Sequence, residues 1–276
     1  MNKKTVLITG CSSGIGLYCA TELSHAGYQV LATVRNPNDI DKLTNLGILC
    51  QQLDLSDPKS VENGFNWAVE MASNHQIDVL FNNGAYAQPG ALEDISRELL
   101  LTQFQTNVFG WHQLTQLCIK HMRTFNSGRI VQNSSVLGFV AMRFRGPYNA
   151  SKFAIEGLTD TLRLELADTQ IQISLIEPGP ILSNFRANAL SQFEQNIDIE
   201  QSPFKQTYQN LVKRLKTQGP AMRFTLGPEA VYARLIHAIE AKRAKPRYYV
   251  TFPTYLMGFL KRLLPSAWLD KILKNS

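Results

Sequence analysis

Thr5-Val6-Leu7-Ile8-Thr9-Gly10-Cys11-Ser12-Ser13-Gly14-Ile15-Gly16 is the stretch whose reading decides the fold. Its apolar, β-branched opening reads as a strand, the glycine-rich middle as a turn, and the residues after it as a helix. In that setting Gly10 allows a tight turn, Gly14 lets backbone approach a pyrophosphate, and Gly16 permits close helix–strand packing. The helix N-terminus adds N–H donors and a partial positive charge. A glycine triplet placed between a first strand and a first helix implies dinucleotide binding, with Gly10, Ser12, Ser13, Gly14, Ile15 and Gly16 on the phosphate side.

Working outward, the same alternation continues. Apolar runs at Gln29–Val34, Ile48–Leu53, Val79–Asn82, Arg129–Asn133 and Gln172–Ile176 predict strands. Between them lie stretches of helical period, such as Leu17, Ala20, Leu23 and Ser24, or Phe153, Ile155, Leu158, Leu162 and Leu166. Strands alternating with helices imply βαβ units and right-handed crossovers. The expected fold is α/β, a Rossmann-type, doubly wound, mostly parallel seven-stranded sheet with helices on both faces. Residues 183–225 break the rhythm and read as an insertion over the carboxyl edge of the sheet. Gly227-Pro228-Glu229 restarts a helix over Ala230–Ala241, and Arg247–Thr251 reads as a last short strand. The expected organisation is a catalytic domain over 1–252, with a substrate lid within 180–226, and a basic amphipathic tail over 253–276.

The glycine spacing is GxxxGxG, and Thr9–Gly16 matches TGxxxGIG in full. The chain here resembles the short-chain dehydrogenase/reductase family, its branch of roughly 250 residues, over residues 5 to about 250, and most of all its hydroxysteroid- and retinol-dehydrogenase-like section. NAD-binding members of that family end the second strand in an acid that holds the ribose 2′-hydroxyl. Here Val34 stands in its place and Arg35 follows, a guanidinium able to fork onto a 2′-phosphate. The resemblance therefore implies NADP(H) over NAD(H), although Arg35 also reads as a plain solvated loop residue. Asp54-Leu55 stands where the family contacts adenine, with a helix cap near Asp57-Pro58 as the competing reading. Asn82-Asn83-Gly84-Ala85 exchanges the last two residues of the family's Asn-Asn-Ala-Gly, which leaves cofactor contacts at Asn83 and Gly84 expected and the turn open. Pro178-Gly179 matches the nicotinamide-side turn.

Tyr148-Asn149-Ala150-Ser151-Lys152 is YxxxK, and residues i and i+4 of a helix share a face. A free phenol has a pKa near ~10 and is a poor base at neutral pH; bringing it to about 7 takes ~4 kcal/mol of differential interaction. A neighbouring ammonium stabilises the phenolate. By resemblance, Tyr148 is the proton donor, and Lys152 tunes it and holds the nicotinamide ribose. Ser135, 13 residues before Tyr148, holds the substrate oxygen, with Ser134 as the competing assignment. Asn107 is the family's helix asparagine, which sustains a water relay from the lysine. The implied activity interconverts a lipophilic carbonyl and its alcohol by hydride transfer. The rival reading is a non-catalytic NADP(H)-binding sensor or scaffold.

Composition bounds what remains. Of 276 residues, 44% are hydrophobic and 18% charged, which is globular and not disordered or collagenous. The short apolar run after Met1 lacks the length of a secretory segment. Four cysteines form no CxxC pair, so no zinc or other metal site is expected and a reduced, cytoplasmic setting is. His25, His75, His112, His121 and His237 are scattered and read as surface or packing residues. Residues 241–276 hold eight basic residues and one acid, so this segment carries +7 and the remainder −1 of the net +6. A near-neutral body argues against a nucleic-acid partner. Tyr255–Leu264 and Trp268–Leu273, separated by Pro265, are amphipathic and basic. They read either as packing on the protein's own domain or a second copy of it, or as lying on an anionic membrane surface. In the lid, Leu182, Phe185, Leu190, Phe193, Phe204, Leu211 and Phe224 suggest a bulky apolar substrate.

Overall fold

The computed structural model describes residues 4–217, 219–220 and 223–274. The first three residues of the N-terminal run, residues 218, 221 and 222 of the expected lid, and the last two of the expected tail lie outside the described residues. The strands are β1 (Thr5–Ile8), β2 (Gln29–Val34), β3 (Leu49–Gln52), β4 (Val79–Asn82), β5 (Gly128–Asn133), β6 (Ile171–Glu177) and β7 (Arg247–Tyr249). They form one seven-stranded sheet in the order β3-β2-β1-β4-β5-β6-β7, parallel at every pairing. The order reverses between β1 and β4, and the crevice outside their carboxyl ends is where ligands settle in open α/β sheets.

The helices are α1 (Gly14–His25), α2 (Ile40–Thr44), α3 (Pro58–Met71), α4 (Arg97–Phe104), α5 (Trp111–Thr124), α6 (Gly146–Glu165), α7 (Phe185–Asn196), α8 (Lys205–Lys216), α9 (Glu229–Glu240), α10 (Phe252–Leu263) and α11 (Ser266–Leu273). One face of the sheet, through Val6, Ile8, Val79 and Val131, packs on Cys19 and Leu23 of α1 and Leu235 and Ile239 of α9. The other, through Leu7, Leu80, Ile130 and Ile173, packs on Val61 of α3, Leu114 and Cys118 of α5 and Ile155 of α6. Alternate strand residues thus serve two cores, as strands covered on both sides must.

Two expectations shift. β7 is shorter than the run to Thr251, because Thr251 leaves the ladder to precede α10 and shares a 3.1 Å hydrogen bond with Thr254. The expected apolar stripe of α6 is wrong at two positions: Phe153 and Leu158 are exposed. The buried face runs instead through Tyr148, Ser151, Lys152, Ile155, Glu156 and Thr159. That face keeps helical spacing but is mostly polar, so apolar periodicity alone could not find it.

Residues 180–226 carry α7 and α8 over the carboxyl edge. Their base is pinned by Leu182 N–H donating to Leu226 O at 2.9 Å. Among the described residues, no helix is long and apolar enough to cross a membrane.

Candidate active site

The glycine loop is set by contacts that admit no side chain. Gly14 has φ +56°, in the left-handed region, and a Cβ on Gly16 would lie 2.2 Å from Gly10 O. Ser13, extended at φ −163°, precedes α1 and makes no side-chain cap. Asn83 laces the loop to β4: its Nδ2 donates to Thr9 O (3.0 Å) and Gly10 O (3.2 Å), and its Oδ1 accepts from Asn133 Nδ2 (2.9 Å). The exchanged Gly84-Ala85 turn fits this frame. Gly84 N–H donates to Thr9 Oγ1 at 3.0 Å, its carbonyl accepts from Trp111 Nε1 at 2.7 Å, and a Cβ there would press on Gly10 N at 3.2 Å.

At the end of β2, Val34 is fully buried and Arg35 exposed. Burial pushes the Tyr86 phenol up to about 12, against the opposing pull of the Arg35 charge. Lys42 of α2 donates from Nζ to Ser12 O at 2.7 Å, placing a second cation against the glycine loop. Nothing in the spacing of the sequence marks Lys42. Asp54 folds onto its own turn, accepting from Ser56 N–H (2.9 Å) and Oγ (2.7 Å), whereas Asp57 caps α3. Leu55 is buried beside Gly84. Pro178 O accepts from Val136 N–H at 2.8 Å, and Gly179 is pressed against Thr251, whose Oγ1 would be 2.1 Å from a Cβ there.

Tyr148, Ser135 and Lys152 are brought together from α6 and the turn after β5. Burial pushes the Tyr148 phenol up to about 12, while a hydrogen bond from Ser135 and the Arg145 guanidinium pull it down. Ser134 takes another direction: its Oγ and Glu156 Oε1 both crowd Gly138, at 2.6 and 2.9 Å from a Cβ there. Lys152 is 1% exposed, donates to Asn133 O at 2.8 Å, and its Nζ lies 4.2 Å from the centre of the Trp111 ring. Burial lowers its pKa to about 7, against the opposing pull of Glu156. Asn107 lies in a π-helical turn (Gln105–Gly110) between α4 and α5. Its side chain accepts from Tyr86 N–H (3.2 Å) and donates to Tyr86 O (2.9 Å) and Ser151 Oγ (3.2 Å). It thus ties the strand-end loop to the residue beside Lys152 and does not touch Lys152 itself.

Behind Lys152 stands a group the sequence did not reveal. Arg247 of β7 meets Glu156 (3.1 Å), Asp160 (2.8 Å) and Glu177 (3.0 Å). Burial, then repulsion from Glu156, raises the Glu177 carboxyl to about 9. Two facing carboxyls served by one guanidinium keep one proton between them. The members are separated by up to 91 residues in sequence, so no local pattern joins them.

The expected lid set divides. Phe185 packs its ring 5.2 Å from Tyr148. Phe193, Phe204 and Leu211 instead pack around Tyr208, while Leu182 and Phe224 are exposed. The apolar wall near Tyr148 comes from Ala189 and Leu215, and from Met257, Leu269 and Leu273 of the tail, one side of which packs on the protein's own domain. Among the described residues, no three His, Cys, Asp or Glu side chains gather as metal ligands.

This loop and tyrosine–lysine geometry on a seven-stranded parallel sheet belongs to a known class. Residues 4–194 match the short chain dehydrogenase family model, and the chain is a member of the short-chain dehydrogenase/reductase family. It is an oxidoreductase of that family, one that binds a nucleotide and acts on a small molecule. It is 41% identical to the uncharacterized oxidoreductase YbbO of Escherichia coli over 99% of this chain and 95% of that one. Human 17-beta-hydroxysteroid dehydrogenase type 1 is 31% identical over 91% of this chain and 78% of its own. A short-chain dehydrogenase/reductase from Burkholderia phymatum, solved in complex with NAD, has the same fold: TM-score 0.79, 24% identity, 99% and 95% coverage.

Proposed function

We propose that the protein interconverts a lipophilic carbonyl compound and its alcohol, using NADP(H), in the cytoplasm. The observation that carries this reading is Tyr148: a buried phenol hydrogen-bonded by Ser135, with Lys152 Nζ 5.6 Å from its ring centre and the Arg145 guanidinium nearby, set against an apolar wall. A pocket with one polar corner binds a ligand with one oxygen to hold and much surface to bury.

The nicotinamide, when bound, supplies or accepts the hydride. Ser12, Ser13 and the backbone of Gly14, Ile15 and Gly16 would hold the pyrophosphate at the N-terminus of α1, a turn kept tight because Gly16 has no side chain to push Gly10 O away. Gly10, Asn83 and Gly84 shape that turn from below. Asp54 and Leu55 border the adenine, and Pro178 and Gly179 back the nicotinamide side. Arg35 and Lys42 bracket the 2′-phosphate, and buried Val34 puts no opposing charge there.

In reduction, Tyr148 transfers its proton to the carbonyl oxygen while the Ser135 hydroxyl donates a hydrogen bond to the same atom. Charged Lys152 steadies the phenolate left behind and reaches the ribose. Asn107, through Ser151 and Tyr86, holds α6 in register and anchors the water that passes a proton back toward Lys152. In the reverse direction Tyr148 is the base. The test is a panel of carbonyl compounds, from short and polar to long and apolar, assayed with NADPH and NADH. Turnover rising with apolar length and at least ~10-fold better with NADPH is expected. Equal use of NADH defeats the cofactor assignment, and preference for polar substrates defeats the substrate class.

A further inference from the structure

The outward face of the tail is inverted relative to a soluble surface. Phe252, Tyr255, Leu256, Phe259 and Leu263 of α10 are all exposed, Phe259 and Leu263 at 60% and 62%. At about 100° per residue they fall on one stripe. Trp268 and Ile272, one turn apart on α11, are exposed as well. The other side of the same helices is already used: Thr254 and Gly258 are buried, and Met257, Leu269 and Leu273 join the cluster around Tyr148. Phe224, exposed beyond the lid helices, packs its ring 4.9 Å from Phe252 and continues the apolar surface toward Leu226.

Charge sits along one edge of this stripe. A cavity of about 530 Å³ opens beside Tyr255, lined by Arg234, Lys245, Arg247 and Arg262 together with Tyr249, and by no carboxylate. Arg247 is taken by its three acids, and Arg234 Nε donates to Tyr249 O at 3.3 Å. Among the described residues, Lys245 and Arg262 form no ion pair. Lys261 reaches inward to Phe139 O and over the Phe153 ring. Two copies paired through this face would each bring the cations of this cavity and no carboxylate from its lining to meet them, which opposes a dimer here. An apolar stripe of Phe, Leu and Trp edged by unpaired cations is what an anionic bilayer accepts.

We propose that α10 and α11 seat the protein on an anionic phospholipid bilayer, with the Phe252–Leu263 stripe and Trp268 in the interface and the Lys245–Arg262 cavity taking lipid phosphates. The inner face of these helices then brings the wall around Tyr148 beside the acyl region; that consequence rests on the lipophilic-substrate reading, whereas the seating does not.

The test is flotation of the full chain with vesicles of phosphatidylglycerol and phosphatidylcholine, or of phosphatidylcholine alone, which needs neither cofactor nor turnover. The protein is expected to float with the anionic vesicles at ~50 mM salt and to be released by roughly tenfold or more at ~500 mM, because screening shortens with salt. Phe259→Ser with Leu263→Ser should lose binding by at least ~10-fold while keeping its circular dichroism, melting temperature and turnover of a water-soluble carbonyl. Lys245→Gln with Arg262→Gln should weaken binding and flatten its salt dependence. Absence of flotation at low salt, equal flotation with both vesicles, or a dimer that the Phe259/Leu263 variant abolishes each overturns the proposal. Flotation without any carbonyl turnover would leave the seating standing and remove only the substrate reading.

Discussion

Helices α6 and α10 invert the usual arrangement in opposite directions. The inward face of α6 buries a lysine, a glutamate and a tyrosine, and leaves Phe153 and Leu158 outside. The outward face of α10 exposes aromatic and aliphatic side chains. Buried charge is costly unless paired, and large apolar residues are ordinarily placed inside. In α6 the cost is offset locally: Asn133 O and the Trp111 ring meet Lys152, and Arg247 meets Glu156. In α10, among the described residues, only ring contacts from Phe224 to Phe252 and from Tyr249 to Tyr255 offset it in part, and Phe259 and Leu263 stay exposed. A polar interior with its partners present describes a finished site, and an apolar exterior without them describes a surface waiting for something outside the molecule.

The largest effect that could break this comparison lies at Tyr148. Tyr148→Phe removes one oxygen and should cut turnover by about 10²- to 10⁴-fold while cofactor affinity, read by nicotinamide fluorescence, stays within about twofold. Retained turnover would show that the interior of α6 is structural only.

Lys152→Met should abolish turnover yet stabilise the fold in a pH-dependent way. Burial sets the folded pKa near 7, below the ordinary value of 10.5, so the folded chain holds fewer protons between those limits. Wild-type stability therefore rises with pH across that window, and the full cost of burying the ammonium is present below about 7. The melting-temperature gain of Lys152→Met should be greatest at pH 6 and vanish above pH 10.5. A gain independent of pH would mean that Lys152 is not buried as a charge.

What was legible in the sequence follows from range. The strands, the glycine loop and the Ser135–Tyr148–Lys152 spacing are written in short windows, where β-branching, φ-permissive glycine and the helical repeat act locally. Arg247, Glu177 and Lys42 reach their partners only once the sheet has assembled. The tail is intermediate: its periodicity showed an apolar stripe, but Leu269 and Leu273 are as apolar as Trp268 and Ile272, and only packing decides which pair turns inward.

Cofactor choice should respond next. Lys42→Ala should weaken NADPH by about 3- to 10-fold and leave NADH unchanged, because an exposed charge–phosphate contact contributes about 1 kcal/mol. Val34→Asp with Arg35→Ala should shift preference toward NADH. Equal losses for both cofactors in Lys42→Ala would place that lysine on the pyrophosphate.

Glu177→Gln sharpens the account of the charged interior. The folded carboxyl titrates near 9, above its ordinary 4.5, so wild-type stability falls as pH rises between those values. Glutamine cannot ionise, and the variant's relative stability should climb from pH 5 to pH 9 by a few degrees in melting temperature. A flat difference would mean that Arg247 keeps both carboxyls ionised.

The smallest effects contrast the two sides of the tail. Leu273→Ala, on the buried side, should cost about 2 kcal/mol and raise KM for apolar substrates. Leu263→Ser, on the exposed side, should stay within about 0.5 kcal/mol by chemical denaturation. Equal costs would dissolve the distinction between an inner and an outer face.

Ser183, at the start of the lid, lies close enough to the glycine loop that a Cβ on Gly14 would meet its Cβ at 2.9 Å, and two residues later Phe185 rests on Tyr148. One short segment therefore overlies both halves of the crevice. A nucleotide held beneath it would have to enter before the segment settles and leave after it lifts, so a cycle limited by that departure is expected to slow with solvent viscosity and to be indifferent to the isotope of the transferred hydrogen.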